Sequence, residues 1–294
     1  MKTDMRLLTA QSSGPRTGRV RRPWGVLIAS HAFLLAYSLL CLFPVLVVIL
    51  NSVKQPLAIF RTPFVPPTTS TFTLEGYQTL VQNANFGLYT FNSLTVTVGS
   101  LLLILLAGSA AAFALSEYTF RGNTLLSLYL SLGIMVPIRL GTPGILELAK
   151  TLHINNTLWA LIAVYTAQGL PLAIFILTAF MRQLPRDLKE AARLDGASEY
   201  RIYLLVMPLV RPAIGALMAI SLIPVWNDLW FPLVLANGER TKTLVLGASM
   251  FLGQFVNDYN AVLAALTLAI VPAIVLYVIF SRQLISGLTD GAIK

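Results

Sequence analysis

Charge is scarce in this sequence. Only 11% of its 294 residues are Asp, Glu, Lys or Arg, against about 25% in a soluble domain whose surface water must wet. Too few polar side chains remain to cover a soluble fold of this size. With 56% hydrophobic residues and a mean hydropathy of +0.75, the chain reads as an integral membrane protein, and its apolar runs suit helices rather than barrel strands. Cysteine is reduced to Cys41 in an apolar run, which excludes an intramolecular disulfide framework and a Cys-based metal site. That residue reads as a small core hydrophobe. His31 and His153 are far apart, one in a span and one in an outside loop, and both read as structural. No G-x-x-x-x-G-K-[ST] run is present to cradle phosphates, and "GERTKT" (Gly238 to Thr243) lacks the second glycine. With no nucleophile–base arrangement and no metal cluster, the chain reads as no enzyme, with no cofactor of its own and no metal site.

Uncharged stretches mark six expected spans, at residues 23–53, 91–116, 125–138, 158–181, 213–235 and 261–280. All but the third offer about the 20 residues that a hydrocarbon core demands. The first is too long for a signal-peptide core and should stay as an anchor. Gly133 and Pro137 interrupt span three, Gly169 and Pro171 span four, Pro224 span five and Pro272 span six. Such breaks are tolerated where protein or a water-filled cavity satisfies the freed backbone, as along a translocation path. Gly108 and Ala112, four apart in span two, would let helix backbones approach closely. If the N-terminus is inside, residues 1–22, 117–122, 182–211 and 282–294 are inside too and carry 15 of the 21 basic residues. That bias favours an inner-membrane, multi-pass chain with both termini cytoplasmic. It also assigns the +9 net charge to the membrane's inner side rather than to nucleic acid. The expected organisation is a basic tail at 1–22 and a transmembrane domain at 23–294.

What charge there is gathers in one internal segment. Residues 182–211 carry six Lys or Arg and four Asp or Glu. Pro185 suits a first helical turn, Asp187 complements a helix N-terminus, and Gly196 can take the positive φ that ends a helix. Leu184, Leu188, Ala191 and Ala192 share one side of that helix. Ser198 can cap a second helix, in which Tyr200, Tyr203, Leu204 and Met207 share a face until Pro208. The segment therefore reads as an amphipathic helix, a glycine turn and another amphipathic helix. By physics alone it either lies on the inner membrane surface or docks a protein. A net charge of only +2 and the small pair Ala191–Ala192 favour a cleft over a lipid surface.

"EAARLDGASEYRIYLLVMPLVRP", starting at Glu190, resembles the cytoplasmic EAA loop of ABC importer permeases. "FTLEGY" from Phe72, "FNSL" from Phe91, "WNDLWFPLVL" from Trp226 and "GLTDGAIK" from Gly287 are similar to the carbohydrate branch, especially the smaller permease of maltose- or glycerol-3-phosphate-type systems. The resemblance covers about residues 25–294. It implies an all-α membrane fold of about six helices, the type I importer permease fold. It also implies partners: a second permease, two cytoplasmic ATPase subunits that bind ATP and Mg, and an extracytoplasmic solute-binding protein, all in membrane lipid. On this resemblance Glu190, Ala191, Ala192, Arg193, Asp195 and Gly196 form the coupling site for the ATPase. The tail from Arg282 to Lys294 would reach the same interface, and the loop at about 236–260 would meet the binding protein. Arg139 departs from the resemblance, standing where an apolar residue is usual.

Asp228 is the one acid that falls within an expected span. It faces a cavity or partner there, or else sits in the wet outer interface that Trp226 and Trp230 mark. Asn92, Gln168 and Asn227 are candidates for hydrogen bonds to a solute, and Trp226 for stacking on a sugar ring. An ABC permease for an amino acid or oligopeptide, or an ion-coupled secondary transporter, are the alternatives. The last needs buried ionisable groups or inverted repeats, and apart from Asp228 the sequence offers neither.

Overall fold

In lipid a backbone must satisfy its own hydrogen bonds, so uncharged runs of 20 or more residues fold as helices. The computed structural model describes residues 24–83, 85–251 and 258–292. The basic tail at 1–22 and residues 252–257 of the loop expected to meet the binding protein lie outside the described residues. So do the last two residues and the side chains of the C-terminal segment beyond Val278. Thirteen α-helices follow in order among the described residues. They are α1 (Trp24–Asn51), α2 (Pro56–Arg61), α3 (Glu75–Asn83), α4 (Phe86–Glu117), α5 (Asn123–Leu132), α6 (Thr142–Thr151) and α7 (Leu158–Met181). Then come α8 (Arg186–Leu194), α9 (Glu199–Leu209), α10 (Arg211–Trp226), α11 (Trp230–Leu235), α12 (Leu244–Ser249) and α13 (Tyr259–Ala292). A 3-10 turn, Ile138–Gly141, joins α5 to α6, and an isolated antiparallel bridge pairs Lys54 with Phe72.

The chain divides into two units, one ending at Val47 and the other starting at Val48. In the first, residues 24–44 of α1 are exposed throughout. Cys41 is therefore exposed, not the core hydrophobe that its apolar setting suggests. In the second, α4 lies along α7, and α10 packs on α13. Gly108 makes the α4–α7 approach possible: a Cβ there would stand 2.7 Å from that of Ala173. Ile104, Phe113, Leu177, Met181, Ile202 and Val206 form a core that joins the C-terminal halves of α4 and α7 to α9.

Three helices, α1, α4 and α7, are each long and apolar enough to cross a membrane. A fourth span results if α9 and α10, bent by 72° at Val210, are taken as one. The six expected spans therefore do not all appear as single long helices. The fourth expected span coincides with α7, which runs unbroken through Gly169 and Pro171. Likewise α13 continues past Pro272. The third is only the ten-residue α5, stopped at Gly133 before Pro137. The fifth is interrupted between Trp226 and Trp230, two residues after Pro224.

Candidate functional site

Helix α8 starts after Pro185, with Asp187 in its first turn and Arg193 in its last, each charge complementing the helix dipole. It stops in a Schellman turn: Ala197 N donates to Ala192 O at 2.9 Å and Gly196 N to Arg193 O at 3.0 Å. That turn needs Gly196 at φ +76°, which glycine adopts without a Cβ penalty. Ser198 then caps α9 by accepting from Arg201 N. Pro208 lies inside the last turn of α9, which ends one residue later at Leu209.

Both helices are amphipathic, but each is rotated from the face its pattern suggests. Leu184, just before α8, and Ala192 on it meet the core, while Leu188 and Ala191 are exposed. Lys189 takes the inward position and is buried. On α9 the buried pair is Ile202 and Val206, flanked by Tyr203 and Met207, whereas Tyr200 and Leu204 are exposed. The rotation follows from an ion-pair cluster. Glu117, at the end of α4, bonds Lys189 and also lies 3.3 Å from Arg193 Nη2. Arg193 Nε donates to Glu199 Oε1 at 2.9 Å, and Tyr118 Oη donates to Glu199 Oε2 at 3.2 Å. The Arg193 hydrogen bond holds the Glu199 carboxyl below its ordinary range, and Arg193 is itself pushed up chiefly by that bond. Glu190, Asp195 and Leu194 remain exposed, and among the described residues Glu190 has no ion-pair partner. Sequence reasoning missed Glu117 and Tyr118. Glu117 is the only acid between Glu75 and Glu147, which was the available signal.

The second cluster forms where the fifth expected span breaks. Asp228 Oδ2 accepts from Tyr165 Oη at 2.8 Å and from Phe231 N at 3.0 Å. Its Oδ1 accepts from Arg139 Nη2 at 3.2 Å. The carboxylate is buried, while two thirds of the Arg139 side chain is exposed. Arg139, a departure from the resemblance, thus has a partner 89 residues away. Trp230 Nε1 donates to Thr142 Oγ1 at 2.9 Å, and that hydroxyl donates to Arg139 O at 2.6 Å. Asp228 is therefore both buried and paired.

The remaining solute candidates separate. Gln168 and Asn227 are exposed. Trp226 is buried, so its ring faces protein in this conformation. Asn92 is also buried, and its Nδ2 donates to Arg240 O at 3.0 Å and to Lys242 O at 2.9 Å. Ser93 Oγ accepts from Leu244 N at 2.8 Å. Asn156 Oδ1 accepts from Gly238 N and from Thr241 Oγ1, each at 2.8 Å. Asn92 thus helps strap residues 238–244 onto α4, which occupies both of its amide hydrogens.

Residues 104–289 match the family described as "Binding-protein-dependent transport system inner membrane component". The chain is 31% identical over 268 residues to the diacetylchitobiose uptake system permease protein NgcG of Streptomyces coelicolor, covering 90% of this chain and 88% of that protein. It is 29% identical over 272 residues to the arabinooligosaccharides transport system permease protein AraQ of Bacillus subtilis, covering 91% and 95%. To the trehalose/maltose transport system permease protein MalG of Thermococcus litoralis it is 30% identical, covering 92% and 96%. In fold it matches a chain of a bacterial ABC transporter involved in the import of the acidic polysaccharide alginate. That match has a TM-score of 0.74 and 19% identity, over 92% of this chain and 99% of that one. On these matches the chain belongs to the binding-protein-dependent transport family, whose members are multi-pass inner-membrane permease subunits of ABC importers.

Proposed function

We propose that this chain is one transmembrane half of an importer for a sugar or sugar-like solute. Its partners are a second permease, two cytoplasmic ATPase subunits that bind ATP and Mg, and an extracytoplasmic binding protein that delivers the solute. Relatives named for diacetylchitobiose, arabinooligosaccharides and trehalose or maltose support the sugar class. Both termini and the α8–α9 hairpin are cytoplasmic in this reading, which the placement of Lys and Arg supports.

The observation that carries it is α8. The helix presents Glu190, Ala191 and Leu194 outward while its inner side is pinned by Lys189 and Arg193. A helix on an anionic membrane surface would turn its basic face to the lipid headgroups. Here two basic residues are engaged by carboxylates of the same chain, and an exposed face of mixed charge, with Arg186, Glu190, Ala191 and Leu194, is left free to enter a cleft. Glu190, Ala191, Ala192, Arg193, Asp195 and Gly196 form or shape the contact with the ATPase. Closure of the ATPase dimer on ATP then moves α8 and rocks the permease pair between inward- and outward-facing states.

The solute path runs past the α10–α11 break. Asn227 offers an exposed hydrogen-bonding group there, Gln168 offers another on α7 one turn beyond the Tyr165 that bonds Asp228, and the Asp228–Arg139 pair forms the junction. A discontinuous span is where backbone and side-chain polar groups become available at depth. Trp226 and Asn92 support this path from buried positions. The strapped loop 236–251 is the surface for the binding protein.

Glu190→Lys reverses the charge of the docking face, and Gly196→Asp strains a turn held at positive φ. Each should leave the protein inserted but abolish sugar uptake and co-purification of the ATPase subunits. Wild-type uptake and association in either variant would refute the docking assignment. A binding protein from the same system that holds an amino acid or oligopeptide would refute the sugar class.

A further inference from the structure

Glu117 is misplaced by the rules of its own helix. It ends α4, where the helix dipole is negative and a carboxylate is unfavourable. Its side chain is only 6% exposed. Lys189 is equally out of place, a buried lysine on an otherwise wet helix. Each explains the other: the Glu117 carboxylate bonds Lys189 on one oxygen, and its other oxygen lies 3.3 Å from Arg193 Nη2.

The inner end of α4 grips the hairpin at other points as well. Arg182 Nη2 donates to Leu115 O at 3.1 Å. Ser109 Oγ and Tyr203 Oη share a 2.7 Å hydrogen bond, and Phe113 meets the Tyr203 ring edge to face with centroids 5.5 Å apart. These contacts hold α9 and the link before α8. Glu117 is the group that ties α8 directly to α4. Without it, α8 keeps residues 182–185 to α7, the Gly196 turn and the Arg193–Glu199 pair to α9, and Ala192 against the core, but among the described residues no other hydrogen bond or ion pair joins it to α4.

We propose that Glu117 is a positioning residue, the strut through which displacement of α8 passes into α4 and the transmembrane body. The inference rests on reading α8 as the helix that docks the ATPase. A strut must keep its length under load, so α8 and α4 should move as one body when the ATPases close. A carboxylate held between two cations meets that demand better than an apolar contact, which can slide.

The test uses the full chain assembled with its partner permease and ATPase subunits in lipid nanodiscs. In a Cys41→Ser background, spin labels are placed at Phe91→Cys and Arg186→Cys, both exposed positions. The α4 segment between Phe91 and Glu117 spans about 40 Å, within range of pulsed dipolar spectroscopy. The probe is ATP with vanadate, which traps the closed ATPase dimer. In the otherwise wild-type complex the label separation should be the same before and after trapping. In Glu117→Gln/Lys189→Met, which leaves no charge stranded, the complex should assemble and still trap vanadate. Its label separation should then shift or broaden by several ångströms. A wild-type separation that changes on trapping overturns the proposal. So does a double variant that keeps a fixed separation, or one that fails to assemble, since Glu117 would then serve only to build the fold. ATPase subunits that never co-purify with the wild-type chain would instead defeat the docking reading beneath it.

Discussion

Asp228 illustrates how much one side chain can organise. Its carboxylate satisfies a tyrosine, a backbone amide and a guanidinium, which come from α7, α11 and the turn before α6. Asp228→Ala strands Tyr165 Oη and Phe231 N in buried surroundings. At about 1–3 kcal/mol for each unsatisfied group, the variant should show a clear fall in thermal midpoint in detergent. Arg139→Ala should cost less than about 1 kcal/mol, because most of that side chain is exposed and the carboxylate keeps its other two donors. Equal losses in the two variants would refute this ranking. The sequence shows Asp228 as an acid in an apolar run and Arg139 as an anomaly. It does not show that the two meet, because their pairing is set by how α6, α7 and α11 stack. Asn92 was legible only as a polar residue at a helix start, and its engagement with Arg240 and Lys242 depends on contacts about 150 residues distant.

Helices that run straight through lipid were the most legible elements. α7 follows its uncharged run from end to end, and the small residues of α4 mark a close approach that the structure realises at Gly108 and Ala173. Gly108→Ala puts two methyl groups 2.7 Å apart, closer than carbon atoms tolerate. Overpacking of this kind costs about 1–3 kcal/mol, so the variant should melt earlier in detergent. Adding Ala173→Gly should restore the midpoint by moving the methyl group across the interface. A neutral single variant, or a double variant no better than the single, would show that the approach is looser than described. Amphipathic α8 and α9 were less legible. Their existence and the Gly196 turn follow from local pattern, but their rotation does not. Hydrophobic periodicity assigns lysine to water, and Lys189 instead turns inward because Glu117, 72 residues earlier, waits there.

For the molecule as a whole, hydropathy identified the membrane class and local motifs identified the family. It overstated continuity, because apolar composition reports which solvent a segment prefers and not whether the helix is unbroken. The breaks at 133–137 and 227–229 depend on glycine, proline and long-range hydrogen bonds that an average over residues conceals. The strap formed by residues 238–244 has a whole-molecule consequence of another kind. Arg240 and Lys242 make it an obvious trypsin target, yet both of their carbonyl oxygens are held by Asn92, and Thr241 is tied to Asn156. A protease cleaves a segment held in this way only from its opened state, so cleavage must wait for local unfolding. Limited digestion should spare this loop in the wild type and nick it readily in Asn92→Ala. Rapid nicking of the wild type would mean that the strap opens easily on its own. Release of the strap from Asn92 and Asn156 can thus be timed on a gel.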